Sequence, residues 1–312
     1  MDCIAQPDGQ LKPVMGGSPF NLARAAALRG ASVSFLNPMS SDRFGLGLTQ
    51  LLQSDQVQLL GGTTPLHLIA LKQLGGTTPL PTSLAVVQVD HGQPSYGFYR
   101  EGIADRDYSV DGVLALLRQH KTTGILHTGS LLLIPPEHQK VLRILAAARD
   151  MGWTISVDIN LRPKVTHDLA AYLQALREVI KLTDWLKASD EDLSTLGYSE
   201  VGMANAAGLV RALRHDAAPS TLRRIALTFG GDGAYLAVED LAHSQVVPPI
   251  PLVDSVGAGD TFWGNALADW AMAPAGAAQR VATTLDLCIK AAAINCTRVG
   301  CQPPTLSELL AF

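Results

Sequence analysis

What the chain has little of narrows it first. Only 5% of its residues are aromatic and 17% charged, with 24 Lys and Arg set against 28 Asp and Glu for a net charge of −4. No basic run occurs, which argues against nucleic acid as a partner, because binding a phosphate backbone needs a concentrated cationic surface. The four cysteines (Cys3, Cys288, Cys296, Cys301) form no C-x-x-C pair and have no histidines at zinc spacing beside them. Buried or incidental thiols in a reducing compartment are the expectation, not metal ligands or disulfides. The apolar stretch from Ile125 to Ile134 is broken by His127 and Thr128 and is too short to cross a bilayer. Residues 1–10 hold neither a basic segment nor an apolar core, so no signal peptide is read there. The expectation is a cytoplasmic protein with no membrane partner.

What is present is apolar mass. Of 312 residues, 47% are hydrophobic, enough for a large core in one α/β domain or two smaller ones. Ser18 can N-cap a first helix with Pro19 in its first turn, and Gly30 can end it. Val33 to Leu36 reads as a short buried strand. Leu84 to Val89 and Tyr96 to Tyr99 read as strands joined across Asp90-His91-Gly92-Gln93, a hairpin on a small appendage.

From Leu114 the rhythm is regular. Strands are expected at Gly124 to His127, Thr154 to Val157, Trp185 to Ala188 and Arg224 to Thr228. Helices are expected at Glu137 to Met151, Leu169 to Ile180 and Val201 to Leu213. A further hairpin begins at Tyr235 to Val238, and Asp260 to Met272 and Leu285 to Cys296 read as closing helices. Strands alternating with helices imply parallel crossovers and a doubly wound, mostly parallel sheet. Two features stand apart. Leu60-Gly-Gly-Thr-Thr-Pro-Leu66 recurs as Leu74 to Leu80, a local duplication rather than a solenoid. The chain also shows no obvious first strand for the sheet.

The chemistry concentrates in Val253-Asp254-Ser255-Val256-Gly257-Ala258-Gly259-Asp260-Thr261-Phe262. A strand runs into a glycine turn and a helix starts near Asp260. Such a turn aims the N–H groups of Gly257, Ala258, Gly259 and Asp260 at one point, reinforced by the helix dipole. That is an anion hole for a transferring phosphoryl group, with a carboxylate beside it to take a proton from an attacking hydroxyl. An acidic residue in a first helical turn also has a purely structural use. No G-x-x-x-x-G-K-[ST] loop occurs, and Phe262 stands where a dinucleotide fingerprint needs its third glycine.

The segment Val256 to Phe262 resembles the signature of the ribokinase-like (PfkB) carbohydrate kinases, with the fructokinase branch the nearest likeness. Other segments carry the similarity along most of the chain. Gly16-Gly17-Ser18-Pro19-Phe20-Asn21 resembles a first signature that meets the sugar. Phe98-Tyr99-Arg100 with Ala104-Asp105 resembles a fructokinase lid segment. Asp158-Ile159-Asn160-Leu161-Arg162-Pro163 resembles a D-x-N-x-R-P stretch at the phosphate end. Lys187-Ala188-Ser189-Asp190-Glu191-Asp192 resembles a K-x-[NS]-x-x-E segment near magnesium, with aspartate where glutamate is usual. Thr228-Phe229-Gly230-Gly231-Asp232-Gly233 resembles a T-x-G-x-x-G nucleotide loop.

The resemblance implies one kinase domain over residues 1–312, with a β lid from strands within 3–15 and 84–108. It implies Asp260 as the base. Asp2, Gly16, Gly17, Asn21 and Arg100 would hold sugar hydroxyls. ATP would lie over Lys187, Ser189, Thr228, Gly230, Gly233, Gly257 and Gly259, with adenine near Cys288 to Asn295 and Gly300. Mg²⁺ would meet Asp192 through water, K⁺ would sit at Asp254 and Val256, and the lid would form a homodimer. Asp2 would be the tail of a Gly-Glu-x-x-x-Asp segment whose strand is missing. The same chemistry on ribose, 2-keto-3-deoxygluconate or a nucleoside is the nearest alternative, and a catalytically impaired sugar- or nucleotide-binding regulator the next. A dinucleotide-dependent dehydrogenase is disfavoured by Phe262 and by the late position of the turn.

Overall fold

The computed structural model describes residues 1–5, 9–56, 58–59, 77–90, 93–120, 122–218 and 222–312, without the side chains of residues 2, 4, 5, 58, 59, 87–90 and 93–96. Its centre is a six-stranded sheet in the order β14-β13-β12-β11-β10-β9. The strands are β9 (Ile125–Gly129), β10 (Thr154–Asp158), β11 (Trp185–Ser189), β12 (Arg224–Thr228), β13 (Ala234–Val238) and β14 (Leu241–Gln245). The first four run parallel and the last two return antiparallel. This is the doubly wound α/β arrangement expected from the alternation of strands and helices.

Period-two alternation decides which side chains reach which face. Ile155, Val157, Leu186, Ala188, Ile225 and Leu227 all enter one core. Covering it are α3 (Val110–Gln119), α4 (His138–Asp150), α5 (Leu169–Ile180), α6 (Asp190–Leu196) and α7 (Ala206–Asp216). Trp185 and Ala226 turn to the opposite core, under α1 (Ser18–Leu28), α8 (Ala258–Met272) and α9 (Val281–Cys296). The same parity puts Ser156, Asp158 and Lys187 on that second side. Asp158 and Lys187 face each other directly in the β10–β11 register.

Helix α1 ends as its sequence implies: Gly30 takes φ 109° and its N–H reaches Ala27 O at 2.8 Å. Its start differs. Gly17 is the N-cap, without a side-chain cap bond, and Ser18 is already helical. Helix α8 begins at Ala258, two residues before the expected start, and α9 at Val281. Helix α7 begins at Ala206, later than expected, because a 3₁₀ turn occupies Met203–Asn205.

A second sheet has the order β2-β1-β7-β8, built from β1 (Asp2–Ala5), β2 (Leu11–Val14), β7 (Leu84–Asp90) and β8 (Gln93–Tyr99). Residues 91–92 of the expected hairpin turn lie outside the described residues. The short β3 (Ser34–Phe35) pairs with β5 (Gln58–Leu59), and β4 (Met39–Ser40) pairs with β6 (Thr77–Thr78). Thus the strand read at Val33 to Leu36 does not join the central sheet. Among the described residues nothing pairs beyond β9. The first copy of the duplicated segment lies outside the described residues, and of the second only residues 77–80 lie within.

The pattern-based reading passed over α2 (Arg43–Ser54) and α10 (Leu306–Ala311). Among the described residues no helix is long and apolar enough to cross a membrane.

Candidate active site

The helices α1 and α8 meet at Gly264. A Cβ there would lie 2.7 Å from Leu22 O and 2.8 Å from Ala25 Cβ, so only a glycine permits this approach. The contact brings the first turn of α1 against the first turn of α8. Ser18 and Asn21, three residues apart, share one helix face and reach Asp260 together. Ser18 Oγ donates to Asp260 Oδ1 at 2.7 Å, and Asn21 Nδ2 donates to Oδ2 at 2.9 Å. Asp260 is 7% exposed and lies in the wall of a large cleft.

The turn before α8 depends on Gly257, at φ 74°. A Cβ there would also overlap Cys301 Sγ at 2.3 Å. Of the four amides expected to converge, one is already committed: Ala258 N–H donates to Ser255 O at 3.1 Å, closing the turn itself. The N–H groups of Gly257, Gly259 and Asp260 donate to no protein acceptor among the described residues. The anion hole is therefore smaller than the sequence suggests.

Beneath it lies a cation. A Cβ on Gly259 would stand 3.1 Å from Lys187 Nζ. Lys187 is 4% exposed and Asp158 fully buried, and the ammonium donates to both Asp158 oxygens at 2.9 and 3.0 Å. Burial pushes the Asp158 carboxyl up; the Lys187 ammonium opposes this, and Asp192 and Asp260 add to it. For Lys187 burial acts downward, but Asp158, Asp192 and Asp260 outweigh it and hold the ammonium charged. A positive charge thus sits under the turn where phosphoryl oxygens would collect.

Asp192 does two local jobs at once. With Ser189 it forms a reciprocal capping box at the start of α6. Its Oδ1 accepts Leu161 N–H at 2.7 Å, and its Oδ2 accepts Ser189 N–H at 2.8 Å. This fixes the segment after β10 that carries Asn160 and Arg162. Asn160, at φ 41°, donates from Nδ2 to Ser18 Oγ at 2.8 Å. The structure therefore sets Asn160 beside Asp260, one hydroxyl away. Arg162 lines the cleft, and its Nη1 donates to Leu161 O.

The cleft measures about 1230 Å³. Gly16, Gly17, Asn21, Ser189, Thr228, Gly230 and Gly233 all line it, as do Asp254 and Val256. The Thr228–Gly233 segment is the β12–β13 connection, closed by a Phe229 N–H bond to Gly233 O at 2.9 Å. Asp254 accepts Val256 N–H at 2.9 Å and Gly300 N–H at 2.8 Å, and Val256 O accepts Asn295 Nδ2 at 2.9 Å. Ile289, Ala292, Ala293, Cys296 and Gly300 give this end an apolar lining.

Two expected sugar contacts look different in place, and a third falls on an undescribed side chain. Asp2 lies on β1, but its side chain is outside the described residues. Asn21 turns its amide to Asp260. Arg100 is not part of the cleft lining: its Nη2 donates to Leu131 O at 2.6 Å from behind, and its carbonyl accepts Arg106 Nη1 at 2.9 Å. Asp105, Asn37, Phe98 and Leu131 line that end instead. Ser18 escaped the sequence reading because its position made a helix cap the ready explanation.

The family model described as pfkB family carbohydrate kinase matches residues 2–308. A fructokinase from Rhizobium leguminosarum bv. trifolii is 28% identical over 83% of this chain and 72% of its own length. One from Vibrio alginolyticus is 27% identical over 100% and 95%. The fold is that of a Vibrio cholerae O395 fructokinase solved with fructose, ADP and calcium (TM-score 0.78, 22% identity, covering 100% and 95%). It is also that of the aminoimidazole riboside kinase of Salmonella enterica, solved with aminoimidazole riboside and an ATP analogue (TM-score 0.79, 20% identity, covering 99% and 95%).

Proposed function

The chain belongs to the pfkB family of carbohydrate kinases, and from that premise we propose that it transfers the γ-phosphoryl group of ATP to a primary hydroxyl of fructose. The observation that carries this reading is the meeting of the Asp260 carboxylate, the αL turn at Gly257 and the Lys187 ammonium in one cleft wall. Fructose is favoured over other sugars by the relatives that are fructokinases and by the Phe98-Tyr99-Arg100 and Ala104-Asp105 segments.

Asp260 takes the proton of the attacking hydroxyl as its oxygen bonds to the γ-phosphorus. The bond to the β-phosphate oxygen breaks and ADP leaves. A carboxylate is a sufficient base because bond breaking at phosphorus runs ahead and the hydroxyl acidifies late. The amides of Gly257 and Gly259, with Lys187, stabilise the charge on the moving group. Thr228, Gly230 and Gly233 border the nucleotide, with Ser189 beside the phosphates. Gly16 and Gly17 present backbone to the sugar. Asp2 is assigned to the sugar hydroxyls, and Arg100 supports them through the Leu131 carbonyl. The four-stranded sheet acts as a lid and its outer face as a dimer contact.

Among the described residues no three His, Cys, Asp or Glu side chains converge to hold a metal ion directly; Asp190, Glu191 and Asp192 line the cleft and would meet a hydrated magnesium ion through its waters. Magnesium would neutralise charge building on the phosphate oxygens. Asp254 and Val256 fit K⁺ as well: each of their oxygens accepts one protein hydrogen bond and keeps a lone pair.

A coupled ADP-release assay with Mg-ATP and a sugar panel tests the reading. Fructose should give the highest kcat/KM, and Asp260→Asn should keep sugar affinity while losing about a thousandfold in kcat. Full activity in that variant, or no turnover of any sugar by the parent, refutes it.

A further inference from the structure

Ser18 Oγ stands between two polar groups, and charge decides the direction of both bonds. An ionised carboxylate can only accept, so the single Ser18 hydroxyl hydrogen goes to Asp260 Oδ1, at 2.7 Å. That leaves Oγ as the acceptor for Asn160, which must present its NH₂ group, at 2.8 Å. Asn21 Nδ2 secures the other carboxylate oxygen at 2.9 Å. The chain Asn160→Ser18→Asp260←Asn21 therefore has one polarity throughout. It joins three separate elements: the segment after β10, the first turn of α1 and the first turn of α8.

The competing use of this serine is absent. Helix α1 is capped by Gly17 with no side-chain bond, so the Ser18 hydroxyl does not serve its own helix. Asn160 is held at φ 41°, a left-handed conformation that asparagine tolerates better than most residues, and this is the backbone setting that carries its bond to Ser18. Ser18, Asn160 and Asp260 all border the cleft.

We propose that Ser18, oriented by Asn160, is a positioning residue for the phosphotransfer base. It locks the carboxylate plane of Asp260, so that a remaining lone pair is already presented to the sugar hydroxyl when it arrives. This rests on the kinase reading and adds to it a residue whose contribution falls on kcat.

Ser18→Ala, Ser18→Thr, Asn160→Asp and the Ser18→Ala/Asn160→Asp pair test it in steady-state assays with Mg-ATP and the best sugar. Ser18→Ala should lower kcat about tenfold to a hundredfold, the loss that a misplaced reacting group brings, with both KM values within about twofold. Ser18→Thr keeps the hydroxyl and should stay within about threefold of the parent. Asn160→Asp tolerates the same backbone but reverses the chain, because a carboxylate at 160 draws the Ser18 hydrogen away from Asp260. It should lose at least as much kcat as Ser18→Ala, and the double variant should be no worse than Asn160→Asp alone.

An unchanged kcat in Ser18→Ala overturns the proposal. So does a loss confined to sugar KM, or a threonine variant no better than alanine. If Ser18→Ala does not fold, the Thr and Asp variants decide alone, since neither empties the site. A crystal structure of Ser18→Ala separates this inference from the kinase assignment. An Asp260 side chain still in its parental rotamer sinks the positioning role while leaving the kinase assignment standing, whereas a parent that turns over no sugar sinks the kinase assignment and this role with it.

Discussion

The two walls of the cleft are built on opposite terms. On one, Asp260, Asn21, Lys187 and Asp158 are all at least 93% buried, and each is held by a hydrogen bond across elements. On the other, the four-stranded sheet leaves Leu11 53% and Tyr99 66% exposed. The contrast teaches where order is needed. Charge that develops at one point must meet donors that do not reorganise, and under the proposed kinase reading that point lies on the wall fixed by packing. On the same proposal the other wall would admit and cover the sugar, a task that needs freedom to move.

Removing the rigidity should have the largest effect. Gly257→Ala places a methyl where Cys301 Sγ already stands and disfavours φ 74°. The turn must then open and misdirect its amides. We expect kcat to fall about a hundredfold to a thousandfold, with far-ultraviolet circular dichroism unchanged, as read by the ADP-release assay.

Lys187→Met is next. It removes the cation and leaves Asp158 buried without its partner. Breaking a buried pair from one side costs about 3–5 kcal/mol, so denaturant titration should show a large loss of stability along with activity. Asp158→Asn added to Lys187→Met should restore most of that stability and none of the activity. Recovery of both would mean that the ammonium is structural only.

The turn before α8 was largely legible in sequence because its signals are local. A glycine doublet, an acidic residue and the onset of a helix fit within Gly257 to Asp260, and Leu169–Ile180 and Arg224–Thr228 fall where their residues place them. What stayed hidden depends on register and on contacts between distant segments. Asp158 meets Lys187 only because β10 and β11 pair in one register. Ser18 reaches Asp260 across 242 residues, through a helix contact that Gly264 permits. Local rules assign Ser18 to a cap; tertiary packing instead turns its hydroxyl to Asp260 and sets Asn160, which the resemblance assigns to the phosphate end, beside it. Helix α2 was missed although Asp42 caps it through Gly45 N–H at 2.7 Å, because two glycines blur its pattern.

Between the walls, Glu137 holds the end of the small sheet to the body. Arg106 donates to Glu137 Oε2 at 3.2 and 3.3 Å and to the Arg100 carbonyl at 2.9 Å, and Lys140 stands 3.1 Å from Oε1. Burial pushes the Glu137 carboxyl up, but Lys140 and Arg106 outweigh it and hold it below its ordinary value. A depressed carboxyl stabilises the fold above its unfolded pKa, about 4.3, and this is lost as pH falls through the folded value. Glu137→Gln should lower Tm at neutral pH, and its gap from the parent should narrow on acidification. A gap constant from neutral pH to pH 3 would show that the charge is not what holds this joint.

The open wall should give the smallest effect on catalysis and so tests the contrast most sharply. Tyr99 is two-thirds exposed at the end of β8, and the lid's outer face is our proposed dimer contact. Tyrosine is enriched among the minority of interface residues whose truncation costs more than about 1 kcal/mol, or roughly fivefold in the association constant, and Tyr99 is proposed as one of them. Tyr99→Ser should therefore weaken dimerisation about fivefold or more in sedimentation, while kcat per subunit stays within about twofold of the parent and stability within about 0.5 kcal/mol, as for an ordinary surface change. A variant that dimerises normally but loses kcat would place Tyr99 in the chemistry and erase the division between the walls. Unchanged dimerisation with unchanged kcat would move the subunit contact off this sheet and leave the division standing.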